Sequence, residues 1–173
     1  MNFTKEENLR IHQSSYLTFY LDSSIFAFDV SRIQEILKMK PITRIPRAPD
    51  YIRGVINLRG SVLPVIDVRI KFGIPTKASD ENTCIIVVNT NIDGQKLRLG
   101  ALVDNVIAVQ DISPYQIENT PSLGSTFNPG FVDGLVKLDE QFILLANIDQ
   151  MFSSDYSQLL ADPEKENSNR HNE

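Results

Sequence analysis

The sequence is poor in the residues that catalysis and metal binding use most often. It contains one cysteine, two histidines and no tryptophan in 173 residues. A single cysteine cannot form an internal disulfide. His12 and His171 lie in polar segments near the two ends of the chain, where no packing would hold an imidazole in place for proton transfer or metal binding. The glycines form no phosphate-binding loop ahead of a helix. We therefore expect a protein that is not an enzyme and needs no cofactor or metal.

Long apolar runs are also missing. The most hydrophobic stretches, 85–88 and 142–148, are too short to cross a bilayer. The first fifteen residues are polar and contain no apolar segment typical of an export signal. We expect a cytoplasmic protein that does not insert into the membrane.

Charge is distributed unevenly along the chain. Residues 38–77 contain nine basic and two acidic side chains, whereas residues 78–155 contain three basic and eleven acidic ones. One interpretation is a pair of solvated faces. The other is a protein with two unlike surfaces that dock different partners.

The ordered part of the sequence is rich in strand patterns. Residues 16–21 and 25–28 alternate in polarity around the turn signal at 22–24, which predicts a hairpin. Further hairpins are predicted where apolar runs flank Arg59-Gly60, Asp93-Gly94 and Asp139-Glu140. We expect the polar segments 1–15 and 157–173 to be a flexible N-terminal tail and an acidic C-terminal tail, since they have few apolar side chains to repay the entropy of ordering. Residues 16–156 then form one domain.

One segment has a helical pattern. Asp29 is a suitable helix cap, and Val30, Ile33 and the pair Ile36-Leu37 follow at helical spacing. The sequence therefore predicts a short helix here with one apolar face.

Four aspartates and the cysteine are the remaining candidates for chemistry. The aspartates all lie at predicted strand ends, where they are capping or turn residues, or else an acid–base pair: Asp29, Asp67, Asp104 and Asp149. Cys84 opens an apolar run, which favours a buried small side chain over a nucleophile.

The sequence also contains two internal repeats. Residues 54–58 (GVINL) match residues 134–138 (GLVKL), and each segment is followed by a turn and an apolar strand ending in Ile-Asp, at 66–67 and at 148–149. A second pair of matching apolar triplets lies seventy-six residues apart: Val30, Ile33 and Ile36 with Val106, Val109 and Ile112. Two matches at nearly one offset predict two similar β lobes. Small barrels are favoured, because closing a sheet removes its exposed edges.

One motif resembles the signature of a known family. The segment 54–60 (GVINLRG), followed by VLPVID at 62–67, is similar to the signature hairpin of the CheW-type coupling proteins of bacterial chemotaxis. The likeness continues through FDV at 28–30, QE at 34–35, TRIP at 43–46, Gly100 and VD at 103–104. It runs from about Tyr16 to Phe152.

The resemblance implies a fold and a function. The expected fold is mainly β, with two intertwined five-stranded SH3-like barrels that share a core, and with short helices. The expected function is that of a non-catalytic adaptor. It would couple the cytoplasmic tip of a methyl-accepting chemoreceptor to the regulatory domain of a CheA-like histidine kinase and support receptor–kinase arrays at the membrane.

The resemblance also implies two sets of contact residues. The receptor-binding groove would consist of Val30, Ile33, Glu35, Arg59, Val106 and Val109. On the residues alone, core packing is the favoured interpretation of the four aliphatic side chains, and Glu35 and Arg59 are most simply solvated charges. In the family a matching acid and base form a pair beside the groove. The kinase-binding residues would be Glu118 and Leu123.

Two other classes of protein remain open on the residues alone. A small nucleic-acid-binding barrel would use the basic segment 38–77, although this segment offers only Tyr51 and Phe72 as stacking aromatics. A ligand-binding or enzymatic barrel would have to assemble its polar groups in three dimensions.

Overall fold

The computed structural model describes residues 13–120 and 129–159. Strands occupy most of this part: β1 (Ser14–Leu21), β2 (Ser24–Asp29), β3 (Ile33–Lys38), β4 (Ile52–Leu58), β5 (Ser61–Asp67), β6 (Cys84–Ile92), β7 (Gln95–Val103), β8 (Asn105–Ile112), β9 (Ile117–Glu118), β10 (Val132–Leu138) and β11 (Gln141–Ala146). The α-helices are α1 (Val68–Lys71) and α2 (Ile148–Leu159), and single 3-10 turns lie at Val30–Arg32, Pro114–Gln116 and Pro129–Phe131. His12, Leu123 and His171 lie outside the described residues. Within those residues, no helix is long and apolar enough to cross a membrane.

The four predicted hairpins are confirmed. β1 pairs with β2, β4 with β5, β6 with β7 and β10 with β11, all antiparallel. Each turn contains a residue with positive φ: Asp22, Arg59, Asp93 or Asp139. Such a backbone matches the twist of the flanking strands. β1 starts at Ser14, two residues inside the segment predicted as a tail, and α2 continues to Leu159.

The predicted helix after Asp29 is wrong beyond its first turn. The Asp29 carboxylate does accept a hydrogen bond from the Ser31 N–H at 2.9 Å, but the 3-10 turn that it caps ends at Arg32. Strand β3 follows, and a bulge beside Gln34 places Ile33 opposite Val88 and Ile36 opposite Ile86. The extra residue puts two side chains three positions apart on one face of a strand. That spacing is the one that sequence reasoning takes for a helix.

The strands form two curled sheets with matching strand orders. The first sheet has the order β8-β1-β2-β11-β10-β9, and the second has the order β3-β6-β7-β5-β4. Each sheet has one parallel pair of strands, β2 with β11 in the first sheet and β7 with β5 in the second. The first sheet therefore takes β1 and β2 from the start of the chain and its other strands from the end. The prediction of two intertwined five-stranded units is confirmed, with the short β9 added at one edge.

The internal repeat is real, but part of its predicted register is wrong. Gly54 and Gly134 occupy equivalent places, eighty residues apart. At the same offset the equivalent of Asp67 is Asn147, not Asp149. The Asp67 N–H donates to the Tyr51 carbonyl at 2.7 Å, and the Asn147 N–H donates to the Phe131 carbonyl at 2.8 Å. Asn147 also accepts from the Gln150 N–H at 3.0 Å, which makes it the cap of α2.

The second repeat also shifts its register. β8 contains the same bulge as β3, because Val106 lies opposite Phe19 whereas Val109 lies opposite Leu17. The structural equivalents of Ile33 and Ile36 are therefore Val106 and Val109, seventy-three residues on.

The main core lies between the two sheets. It is built from both of them and from α2, and it includes Phe19, Phe28, Val88, Val103 and Phe152. Burying each such side chain contributes about 1.5–3 kcal/mol. Because one core serves both lobes, the inward faces of the edge strands β3 and β8 border the same apolar interior.

A buried ion network joins the turns at one end of the molecule. The Arg69 guanidinium is fully buried and donates to both carboxylate oxygens of Asp67, at 3.0 and 2.9 Å, and to Asp104 at 2.9 Å. Asp67 also caps α1 through the Arg69 N–H at 3.1 Å, as its capping interpretation predicted. Asp104 instead accepts from the Asp22 N–H at 2.6 Å. Both aspartates are therefore occupied by structural partners.

Candidate functional site

Four of the six predicted groove residues lie on two edge strands, Ile33 and Glu35 on β3 and Val106 and Val109 on β8. β3 and β8 each pair with a single neighbour, at one edge of the second and the first sheet respectively. Ile33 and Val106 are half-buried and pack against the shared core. Val109 is 58% exposed and Val30, in the turn that leads into β3, is 36% exposed. Exposed aliphatic side chains therefore lie along or next to both edge strands, whereas residues of a closed core would be covered on all sides.

The start of β8 and the end of β3 come together at Cys84. Its thiol accepts a hydrogen bond from the backbone of Val106, and burial raises its pKa. Cys84 also lies opposite Lys38, the last residue of β3. The cysteine is thus a buried structural residue, as its apolar surroundings in the sequence indicated.

Sequence reasoning missed one apolar residue of this surface. Ile36 lies on the same face of β3 as Ile33 and is 47% exposed. The sequence pattern puts Ile36 and Ile33 on one face of a helix, and in the structure the bulge beside Gln34 keeps both on one face of a strand.

Glu35 and Arg59 form an ion pair beside β3. Glu35 lies on β3, and Arg59 lies in the turn between β4 and β5. Arg59 Nη1 donates to Glu35 Oε2 at 3.2 Å, and Nη2 donates to Oε1. The hydrogen bond from Arg59 holds the pKa of the Glu35 carboxyl below its ordinary value. The Asn57 side chain accepts from the Gly60 N–H at 2.8 Å and fixes the turn from which Arg59 extends. The pair presents a two-pronged, planar arrangement. Glu35 lies opposite Val87, on the other face of β3 from Ile33 and Ile36.

A second ion pair supports the start of β3, and no signal in the sequence indicated it. Arg32 donates to both oxygens of Asp149 at the start of α2, with Nη1 at 3.1 Å from Oδ2, and its Nε donates to the Asn89 carbonyl at 3.1 Å. Asp149 also accepts from the Asn91 N–H at 2.9 Å. Burial raises the pKa of Asp149, but these hydrogen bonds outweigh it and the net direction is downward. The pair fixes the 3-10 turn that presents Val30 and Ile33.

The two residues predicted for a kinase surface are not brought together within the described part. Glu118 is exposed on β9, opposite Leu135 of β10. β9 approaches so closely that a side chain at Gly134 would lie 2.8 Å from the Glu118 carbonyl oxygen. Leu123 lies outside the described residues.

The described residues assemble little that would support catalysis. No group of three or more histidine, cysteine, aspartate or glutamate side chains in 13–120 and 129–159 is placed to hold a metal ion. The four strand-end aspartates bind a backbone N–H or an arginine in each case. The arrangement is suited to docking another protein on exposed apolar edges.

Comparisons with known proteins agree with this geometry. A family model described as the CheW-like domain matches residues 15–156. The chain is 36% identical over 140 residues to the chemotaxis protein CheW of Klebsiella aerogenes, which covers 81% of this chain and 82% of that protein. It is 30% identical over 135 residues to the chemotaxis protein CheW of Thermotoga maritima, covering 78% and 85%.

A solved structure supports the same assignment. The scaffolding protein TtCheW from Thermoanaerobacter tengcongensis matches with a TM-score of 0.72 at 33% identity, covering 81% of this chain and 88% of that one. The two curled sheets therefore have the SH3-like fold of these relatives, and none of them favours the nucleic-acid-binding alternative. By its sequence and its fold, this chain belongs to the CheW-like family.

Proposed function

We propose that this protein is a non-catalytic chemotaxis adaptor that binds a receptor and a kinase on separate surfaces. The receptor-binding site is the groove formed by Val30, Ile33, Glu35, Arg59, Val106 and Val109, and we add Ile36 to it. The observation that carries the proposal is the presence of exposed aliphatic side chains on two edge strands that border one core. An amphipathic helix, such as the cytoplasmic tip of a methyl-accepting chemoreceptor, fits a groove of this kind.

The kinase-binding surface is proposed to lie near Glu118 and Leu123. Its partner is the regulatory domain of a CheA-like histidine kinase, and its place in the cell is the cytoplasm, at membrane-associated receptor arrays. This assignment rests on the resemblance and on the exposure of Glu118 on β9. The proposed surface is formed by a different part of the chain from the strands that form the groove.

The test is a charge placed in the groove. Val109→Asp should leave the thermal melt close to that of the wild type, because the side chain is more than half exposed. Its affinity for a receptor-tip fragment should fall by roughly tenfold to a hundredfold, which corresponds to about 1.4–2.7 kcal/mol, because a carboxylate would be desolvated against an apolar helix. Isothermal titration measures this directly.

The matched control is Phe142→Asp. Phe142 is 51% exposed on β11, so this variant introduces the same charge at a similarly exposed apolar position. It should bind the receptor fragment like the wild type. Unchanged receptor affinity in Val109→Asp, or an equal loss in both variants, would show that the groove is not the receptor site.

A further inference from the structure

A cavity outside the proposed adaptor surfaces lies under the loop between β3 and β4. Its volume is about 530 Å³, and it is lined by Arg44, Arg47, Asp50 and Arg53 together with apolar side chains that include Ile70 of α1. This size is within the range of sites that bind small molecules. The three arginines enter it from a segment of ten residues.

The arginines are only partly neutralised. Arg53 Nε lies 3.2 Å from Asp67 Oδ2, and Asp67 is also bound by Arg69. No ion pair of Arg44, Arg47 or Asp50 occurs among the described residues. Three guanidinium groups and one carboxylate leave the cavity with a formal charge of about +2 before the Asp67 contact is counted. The sequence as a whole has a net charge of −5, so this cavity stands out as a place that attracts anions.

The loop around the cavity is constrained by two prolines and by backbone hydrogen bonds. Pro46 and Pro49 each fix a backbone angle, and two turns close on the Ile45 and Pro49 carbonyls, which accept from the Ala48 and Ile52 N–H groups at 3.3 and 3.0 Å. At the start of the loop, Thr43 exchanges two backbone hydrogen bonds of 2.9 Å with Val55 of β4.

Arg47 has an unusual backbone conformation. Its φ is +62°, and the other non-glycine residues with positive φ in the described chain all lie in two-residue hairpin turns. Arg47 is the third residue of the turn that the Ala48 N–H and the Ile45 carbonyl close, directly after Pro46, and a type II turn places a positive φ at this position. The turn directs the Arg47 side chain from a fixed position in the loop.

We propose that this cavity binds a phosphomonoester, with Arg44, Arg47 and Arg53 contacting the phosphate and the remaining volume holding its organic part. A phosphate monoester carries about −1.5 to −2 charges at neutral pH, which matches the charge of the cavity. Planar guanidinium forks bind phosphate oxygens in pairs. A single carboxylate would neutralise only half of this charge. The proposal does not depend on the adaptor function.

The experiment titrates the protein with glycerol 3-phosphate and follows backbone amide chemical shifts by NMR at constant ionic strength. The wild type should show saturable shifts confined to residues 44–53 and to Ile70. The double variant Arg44→Gln/Arg47→Gln should bind at least tenfold more weakly, with an otherwise unchanged spectrum, because both side chains are exposed. Arg98→Gln, which removes an exposed arginine of β7, should bind like the wild type.

Further titrations separate phosphate recognition from general attraction of anions and from binding of the organic part alone. Glycerol and acetate should cause no saturable shifts in the cavity. Equal affinity for acetate, an undiminished response in the double variant, or shifts spread over all basic side chains would overturn the proposal. Binding of an acidic peptide at 44–53 without any response to glycerol 3-phosphate would also overturn it and would assign the cavity to a protein partner.

Discussion

At the residue scale, Arg69 shows how strongly the structure depends on charges that the sequence presents as ordinary. Its side chain is fully buried with two carboxylates that are themselves buried, Asp67 and Asp104. Removing one member of such a group leaves the others charged and desolvated. The network connects α1, the end of β7 and, through Asp104, the turn between β1 and β2.

We therefore expect Arg69→Met to destabilise the protein by about 3–5 kcal/mol, because two buried carboxylates would lose their shared cation. Urea unfolding followed by circular dichroism measures the change. Arg98→Met is the control, and as a change at an exposed position it should cost no more than about 0.5 kcal/mol. Similar effects of the two variants would contradict a structural role for the network.

The pair between Glu35 and Arg59 predicts a pH dependence. The pKa of Glu35 is lowered from its ordinary value of 4.5 by the hydrogen bond from Arg59. A carboxyl whose pKa is lower in the folded state stabilises the fold above its unfolded pKa, and that contribution is lost as the pH falls through the folded pKa. The pair should therefore persist at neutral pH and break in acid.

An NMR titration of the Glu35 carboxyl should give a midpoint below 4.5 in the wild type. In Arg59→Gln the midpoint should rise towards that value. Arg98→Gln should raise it less, because Arg98 acts on Glu35 only through a weaker charge effect. An unchanged midpoint in Arg59→Gln would mean that the two side chains do not pair in solution.

Residue contacts of this kind were only partly predictable. The capping of α1 by Asp67 followed from its place at a strand end. The contact of Glu35 with Arg59 came from family resemblance, since nothing local links residues 35 and 59. The contacts of Arg69 and Arg32 were missed because an arginine looks the same in a sequence whether its side chain is buried or exposed.

At the element scale, the glycines of β4 and β10 let a neighbouring segment cross close to the strand. A Cβ on Gly54 would lie 2.0 Å from the Thr43 carbonyl oxygen, and its φ of +141° is strained for any other residue. Gly60 also has positive φ, at +83°, but nothing lies within 4 Å of its Cβ position. Comparing alanine at Gly54 with alanine at Gly60 therefore separates the cost of a steric clash from the cost of backbone strain.

We expect Gly54→Ala to cost about 3 kcal/mol or more, because the β3–β4 loop would have to move off β4 in addition to the strain at φ. Gly60→Ala should cost about 1 kcal/mol, from strain alone. Thermal melts of both variants measure the difference. Equal destabilisation by the two variants would show that the close approach of Thr43 to β4 adds nothing to the cost of Gly54→Ala.

Elements were well predicted where the turn chemistry was local, as in all four hairpins. The failure at β3 has a specific cause, because a bulge places two side chains three positions apart on the same face of the strand. The same bulge in β8 put Val106 and Val109 on one face. Nothing in a single sequence distinguishes this pattern from one turn of a helix.

At the scale of the whole molecule, the two lobes share one main core, and the first lobe takes its strands from both ends of the domain. The sequence repeat and the family resemblance predicted this arrangement, but the parallel junctions between β2 and β11 and between β5 and β7 have no local signal. Each lobe also has a small buried cluster of its own, but the largest cluster draws on both sheets and cannot form in either lobe alone.

Unfolding in urea should therefore be a single transition, because neither sheet can keep its share of the core without the other. Amide signals of β2 and β7 should disappear at the same urea concentration in NMR spectra. Loss of one set before the other would show that the lobes unfold separately.

The position of β1 and β2 between β8 and β11 has a consequence for biosynthesis. This hairpin leaves the ribosome before the rest of the domain, and its parallel partner β11 follows more than a hundred residues later. At ordinary rates of translation the delay is on the order of ten seconds. During that time neither outer edge of the nascent hairpin has its native partner strand. Its apolar face, which includes Phe19, Phe26 and Phe28, is also uncovered. Chaperones that bind exposed strands should therefore meet this protein at its N-terminal hairpin.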